Sequence, residues 1–227
     1  MRTRTKVLLG IATGVVVVGA AAVIGGPVVY AGLVNGSADA APSLAPTGGA
    51  TLDAADADGR WTATGGSYAG YRVHEVLRGQ DVTVTGRTED VDASATVADG
   101  TLRGATVTVR VASITTPESA RDAYFRTQAL DTDRFPTATF RVTEPVDVRA
   151  ALAGTDRDVT LRGELTVHGV TKAVSTDAQL GVDRSGHVQV AGSVPVTFAD
   201  YGVDAPDLGF VKVDGSGAVE FSLELAR

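Results

Sequence analysis

Residues 158–171 read Asp-Val-Thr-Leu-Arg-Gly-Glu-Leu-Thr-Val-His-Gly-Val-Thr. The odd positions Val159, Leu161, Gly163, Leu165 and Val167 are apolar or small, and the even positions Thr160, Arg162, Glu164, Thr166 and His168 are polar. Successive side chains of a strand point to opposite faces, so this period of two predicts a strand with one dry face and one wet face. The pattern recurs along most of the chain after residue 60. A first long strand is expected over 60–76, with Tyr71 and Val73 on one side and Arg72 and His74 on the other. Val82 and Val84 alternate with threonines, and a strand over 91–98 runs into Asp99-Gly100, a hairpin dipeptide. Val107, Val109 and Val111 alternate with Thr106, Thr108 and Arg110. Further strands are expected over 137–143, 172–183, 188–199 (Val188, Val190, Val194, Val196 and Phe198 on one side) and 217–226 (Val219, Phe221, Leu223 and Leu225 on one side).

One stretch breaks the alternation. Thr116-Pro117-Glu118 followed by Ser119 to Phe125 has an N-cap candidate and a proline at the first helical position, which predicts a short helix. An irregular stretch ending at Phe135-Pro136 follows it.

About eight half-buried strands joined mostly by short turns predict an all-β fold, an eight-stranded antiparallel barrel with a short helix and loop insertion. A two-sheet sandwich is the alternative. Closure removes the strand edges that would otherwise pair with other chains. The inward positions are mostly Val, Ala, Gly and Leu, and only 12 residues of the chain are aromatic. Either such a barrel flattens onto itself, or something apolar fills it, because empty space costs about 24 cal/mol per Å3.

The pattern changes at the N-terminus. Residues 1–6 form a basic tail, and residues 7–34 carry no charge. As a helix that run would be about 42 Å long, more than the roughly 30 Å hydrocarbon core of a bilayer. The basic side stays in the cytoplasm, which places the remainder outside. Ala38-Asp39-Ala40 also has the small-x-small form of a signal-peptidase site, so a secreted product cut near Ala40 is the alternative to a single-pass anchor. The run is about twice an ordinary signal-peptide core, which favours the anchor. Residues 35–57 are rich in Ala, Pro, Gly, Ser and Asp and read as a flexible linker, leaving 58–227 as the barrel domain.

Beyond residue 40, 17 basic residues face 26 acidic ones, a balance of −9 that excludes nucleic acid as a partner and argues against broad docking on anionic lipid. The chain has no cysteine, so thiol chemistry, cysteine metal sites and disulfides are all excluded. Of the three histidines, His74 and His168 fall on the polar side of expected strands and His187 in a turn, none with a zinc-ligand spacing. There is no phosphate-binding glycine loop and no nucleophile elbow. The sequence therefore offers no catalytic residue, metal site or cofactor. Its candidate site is apolar: Tyr71, Val73, Val109, Val111, Phe140, Leu161, Leu165, Val194, Val196 and Phe198 as barrel lining, with Phe125 and Phe135 as a lid over one mouth.

Four ordered motifs resemble the YceI-like family of lipocalin-like polyisoprenoid-binding proteins. They are Ser67-Tyr-Ala-Gly-Tyr-Arg-Val73, Arg121-Asp122 through Phe135-Pro-Thr-Ala-Thr-Phe140, Gly163-Glu-Leu-Thr-Val-His-Gly-Val-Thr-Lys172 and Asp200-Tyr-Gly202. The resemblance runs from about Gly59 to Arg227, and the N-terminal anchor is similar to an actinobacterial, membrane-anchored variant. It implies an extended eight-stranded barrel whose pore takes a long isoprenoid or other amphiphile, and no known reaction. Many members carry a basic residue just before the aromatic-glycine element, where this chain has Thr197-Phe-Ala-Asp200. Arg72, Arg121 or Lys172 would have to meet a polar head group instead.

The resulting expectation is an extracytoplasmic barrel on the cell membrane that binds a polyisoprenoid or fatty-acyl chain as a carrier or store. An interaction module with a filled barrel is the alternative, and an enzyme acting on an envelope lipid stands behind both.

Overall fold

The computed structural model describes residues 38–46, 48–155 and 157–227. The basic tail 1–6 and the expected anchor 7–34 lie outside the described residues. Among those described, no helix is long and apolar enough to cross a membrane.

The strands are β1 (Gly59–Ala63), β2 (Tyr68–Leu77), β3 (Gln80–Thr88), β4 (Val91–Ala98), β5 (Thr101–Arg110), β6 (Thr137–Val142), β7 (Val146–Asp147), β8 (Asp158–Val167), β9 (Val170–Val182), β10 (Val188–Thr197) and β11 (Val211–Ala226). β1 pairs with β4 on one side and with β11 on the other. Between these, the ladder runs β4–β5–β6–β8–β9–β10–β11 with every pairing antiparallel. Eight strands therefore close on themselves, and the sandwich alternative falls away. The hairpin β2–β3 continues from β11, and β7 adds a short rung to β5.

The described residues form two compact units. One comprises Ala38, His74–Val84 and Pro206–Val213, in which the Arg78 N–H donates to the Phe210 carbonyl. The other, Asp39–Val73 with Thr85–Ala205 and Asp214–Arg227, holds the closed barrel and its core.

Alternation sorts the faces as expected. On β8, Val159, Leu161 and Leu165 are buried while Thr160 and Arg162 are exposed. The hairpin at Asp99-Gly100 has φ of 54° and 66°, the left-handed pair that a type I′ turn demands. Several local expectations need correction. The strand expected over 60–76 is broken at Gly65-Gly66. Thr64 N–H and Ser67 Oγ both donate to the Glu224 carbonyl, and Glu224 N–H donates back to Ser67 Oγ, so the intervening glycines bulge outward with Gly66 at φ +95°. Val111 does not continue β5 but opens a 3-10 turn, Val111–Ser113. Strand β8 ends at Val167, so His168 occupies a tight turn at φ +51° rather than the polar side of a strand.

The expected helix starts later than Pro117. It is α1 (Ser119–Tyr124), continued by a π-helical turn over Phe125–Ala129. Thr116 is not its N-cap. Its hydroxyl donates to the carboxylate of buried Asp122, which ties the approach segment to the helix instead. A second turn of helix, α2 (Arg149–Leu152), was not foreseen. Asp147 precedes it and accepts from the Arg149 backbone and guanidinium, which hold its carboxyl below the usual carboxylate range.

The linker expected over 35–57 is not loose throughout. Ala50 and Leu52 pack on the core, Leu52 N–H donates to the Leu152 carbonyl, and Ala57 is fully buried. Three apolar side chains spaced irregularly over eight residues carry no period, which is why the sequence reads as linker there.

Candidate functional site

Inside the barrel lies a cavity of about 110 Å3 whose lining residues are apolar except for Thr139. It follows from the alternation. Each strand of the closed ladder turns one face inward, and on these strands that face is Val, Ala and Leu rather than larger side chains. At about 24 cal/mol per Å3, a void of that size costs roughly 2–3 kcal/mol. With almost no polar partner to hold it, water gains little by entering. The chemistry the cavity can perform is burial of hydrocarbon.

One end has a floor. Val146–Asp147 pairs with Leu102 and Thr101 at the start of β5, and the following α2 places Val148 and Leu152 against the cavity. Trp61 and Ala57 complete this end. The indole N–H donates to the Ala57 carbonyl at 2.8 Å, so the ring presents no unpaired polar atom to the cavity. The other end lies at the close of β5, about 30 Å away along its ten residues. There the segment between β5 and β6 carries Phe125, which stacks on Tyr71 with centroids 5.0 Å apart and planes at 21°. Gly86 makes that stack possible, because a Cβ there would come within 2.6 Å of the Tyr71 ring and 3.0 Å of Ile114.

Of the twelve residues singled out in the sequence, Val109, Phe140, Leu161, Leu165 and Val194 meet at the cavity wall. Tyr71, Val111, Phe125 and Val196 belong to the surrounding core rather than the wall. Val73 and Phe198 converge instead on Gly217, each about 3.0 Å from where a Cβ would stand. Phe135 packs edge-on against His168, with centroids 4.7 Å apart, and its ring fills the space beside Gly169. It secures the β8–β9 turn and does not line the cavity.

Sequence reasoning missed Trp61, Ala57, Val148, Leu152 and Phe221 as wall residues. Phe221 could have been found, since it shares a face with Leu223 and Leu225. Close approach explains its position: a Cβ at Gly192 would lie 2.6 Å from the Phe221 ring, so only glycine leaves the ring room.

The polar candidates are engaged elsewhere. Arg72 pairs with buried Glu220. Lys172 is exposed on β9. His74 lies 3.7 Å from Asp81 and His187 3.7 Å from Asp183, while His168 Nδ1 meets the Tyr201 carbonyl at 3.2 Å. Burial pushes the Tyr201 hydroxyl pKa up, with the Asp200 charge adding to it. Among the described residues, no group of three His, Asp or Glu side chains could hold a metal ion.

A closed antiparallel barrel of eight strands around an apolar interior belongs to the class of small barrels that side chains fill or that hold one small ligand. Residues 63–225 match the YceI-like domain, and the chain belongs to that family. No curated protein matches it. Among solved structures, it is similar to a polyisoprenoid binding domain from Saccharophagus degradans implicated in plant cell wall breakdown. The TM-score is 0.57 at 20% identity, covering 73% of this chain and 97% of that one. It is also similar to BcnA of Burkholderia cenocepacia, with a TM-score of 0.53 at 20% identity, covering 69% of this chain and 96% of the other. At that identity both likenesses speak to the fold.

Proposed function

We propose that the barrel takes up the apolar chain of a long amphiphile, a polyisoprenoid or fatty-acyl compound, and serves as its extracytoplasmic carrier or store rather than as an enzyme. The observation that carries this reading is the cavity wall, apolar but for Thr139. Family membership supports it, as does the polyisoprenoid binding domain among the similar structures.

Magnitudes favour uptake. The cavity, at about 110 Å3, is smaller than the roughly 150 Å3 pocket that accepts benzene, so a long chain must part side chains to enter. That repacking costs on the order of 1–3 kcal/mol. Each buried methylene returns about 0.8 kcal/mol, so a ten-carbon stretch returns roughly 8 kcal/mol and prevails. The Tyr71–Phe125 end is the entrance in this reading, and the tail comes to rest toward Trp61.

Val109→Trp tests it. In a hollow barrel the added ring occupies the ligand's space: stability of the empty protein changes little, and uptake of a fluorescent prenyl or fatty-acyl probe falls. Arg110→Ala, on the outward face, leaves uptake intact. Severe destabilisation by Val109→Trp, in a protein that takes up no probe and carries no lipid in organic extracts, refutes the reading.

A further inference from the structure

Asp39 and Ala40 are held by charged side chains of β2, β3 and β11. Arg72 Nη2 donates to the Asp39 carbonyl at 2.7 Å, and Arg87 Nη2 donates to the Ala40 carbonyl. The Asp39 N–H donates to Thr85 Oγ1 at 3.0 Å, and the Asp39 carboxylate lies 3.4 Å from Arg87 Nε. Both guanidinium groups are fixed in turn. Glu220, only 2% exposed, pairs with Arg72 and lies 3.6 Å from Arg87, whose guanidinium sits 4.5 Å over the Tyr68 ring. A buried carboxylate that orients two arginines makes a preformed clasp for two successive backbone carbonyls.

The clasp occupies the groups a peptidase would need. Ala38-Asp39-Ala40 has the small-x-small form that precedes a signal-peptidase cut, which puts the scissile bond between Ala40 and Ala41. A peptidase holds an extended substrate by its backbone N–H and C=O groups and takes the scissile carbonyl into an oxyanion hole. Here the Asp39 N–H, the Asp39 carbonyl and the Ala40 carbonyl are already bonded to Thr85, Arg72 and Arg87. Chain order adds a second point. Arg72 comes from β2, Thr85 and Arg87 from β3, and Glu220 from β11, the last strand. The clasp is therefore complete only once the C-terminal strand has paired, long after Ala40 has been synthesised.

We infer that the Ala40–Ala41 bond is a processing site that folding closes: an enzyme of the signal-peptidase type cuts it before β11 docks and not afterwards. The reaction is hydrolysis. Water adds across the Ala40–Ala41 amide, leaving a carboxylate on Ala40 and an amine on Ala41. A chain that folds first keeps residues 1–40, and a chain that is cut first loses Asp39 and Ala40 from the clasp. The choice between the two products is a race between folding and cleavage. The clasp and the motif carry this inference by themselves, so it stands apart from uptake into the barrel.

Order of addition tests it. The full chain is diluted from denaturant into detergent micelles, with purified signal peptidase either present from the start or added after refolding, and cleavage is followed by intact mass. The clasp predicts a product beginning at Ala41 in the first case. In the second, cleavage is slower by on the order of a hundredfold, because the folded chain is cut only through transient release of the segment. Removing one arginine alone would leave Glu220 buried without its partner, so the triad is replaced as a unit, Arg72→Met/Arg87→Met/Glu220→Leu. That variant, checked for a cooperative melt, is predicted to be cut at one rate in both orders. Thr85→Val, which removes only the acceptor of the Asp39 N–H, is predicted to be cut roughly severalfold faster than wild type after refolding, and it decides the matter if the triad variant does not fold. Ala40→Leu abolishes the product in both orders, since the site requires a small residue there. Refolded wild type cut as fast as the unfolded chain overturns the inference. So does a folded triad variant that stays as resistant as wild type, a Thr85→Val rate equal to that of wild type, or the absence of a product beginning at Ala41 in either order.

Discussion

At Gly70 and Gly163 the backbone itself fills the space a side chain would need. A Cβ at Gly70 would lie 1.9 Å from the Gly86 carbonyl oxygen, and one at Gly163 would lie 2.3 Å from that of Arg141. Neither neighbour can swing aside as a side chain would. Gly104, also on a barrel strand, has nothing within 4 Å of its Cβ position. Gly70→Ala is therefore expected to destabilise by about 1–3 kcal/mol or more, while Gly104→Ala is neutral or stabilises by up to about 1 kcal/mol. Denaturant melts of the two variants check this; equal midpoints would show that the strand crossing at Gly70 is looser than described. Single residues of this kind set the limit of what the sequence reveals. Leu161, Leu165, Phe140 and Val109 were legible because alternation alone decides which way they face. Val111 was not, because it sits just beyond the end of β5, where the period of two no longer fixes direction, and Phe135 was not, because it lies in an irregular stretch that carries no period.

Whole elements were legible where they repeat a period and obscure where they do not. The strands of the ladder and the Asp99-Gly100 hairpin follow from alternation and turn chemistry. The break between β1 and β2 does not, because Gly65-Gly66 fits either a continuous strand or a bulge until Ser67 and Glu224 are seen to pair. The floor is the least legible element, being assembled from the four-residue helix α2 and from residues 50–57, two pieces with no period of their own. They make a distinct expectation. Deleting residues 48–57 removes the Leu52 contact with α2 and the carbonyl that accepts the Trp61 N–H. A buried donor left without a partner costs about 1–3 kcal/mol, and the opened floor adds to that. The shortened protein should melt at a lower temperature, with Trp61 emission shifted to the red as water reaches it. Unchanged emission would mean that these residues are packing ornament and that the domain begins at Asp58.

At the scale of the molecule, closure and hollowness come from the same composition. Small β-branched and alanine side chains on the inward faces let eight strands close without the aromatic filling that would make the barrel solid. Trp61 offers the most direct test. It is the chain's only tryptophan and lines the closed end of the cavity. Bromine quenches indole fluorescence on contact, so a fatty-acyl chain brominated at its tail and one brominated beside its head group report where the chain lies. The account predicts saturable quenching of Trp61 by the tail-brominated chain, weak quenching by the head-brominated chain, and loss of both in Ala138→Phe, which fills the wall. Equal quenching by the two chains that persists in Ala138→Phe, or no saturable quenching at all, would contradict uptake of an apolar chain into the barrel.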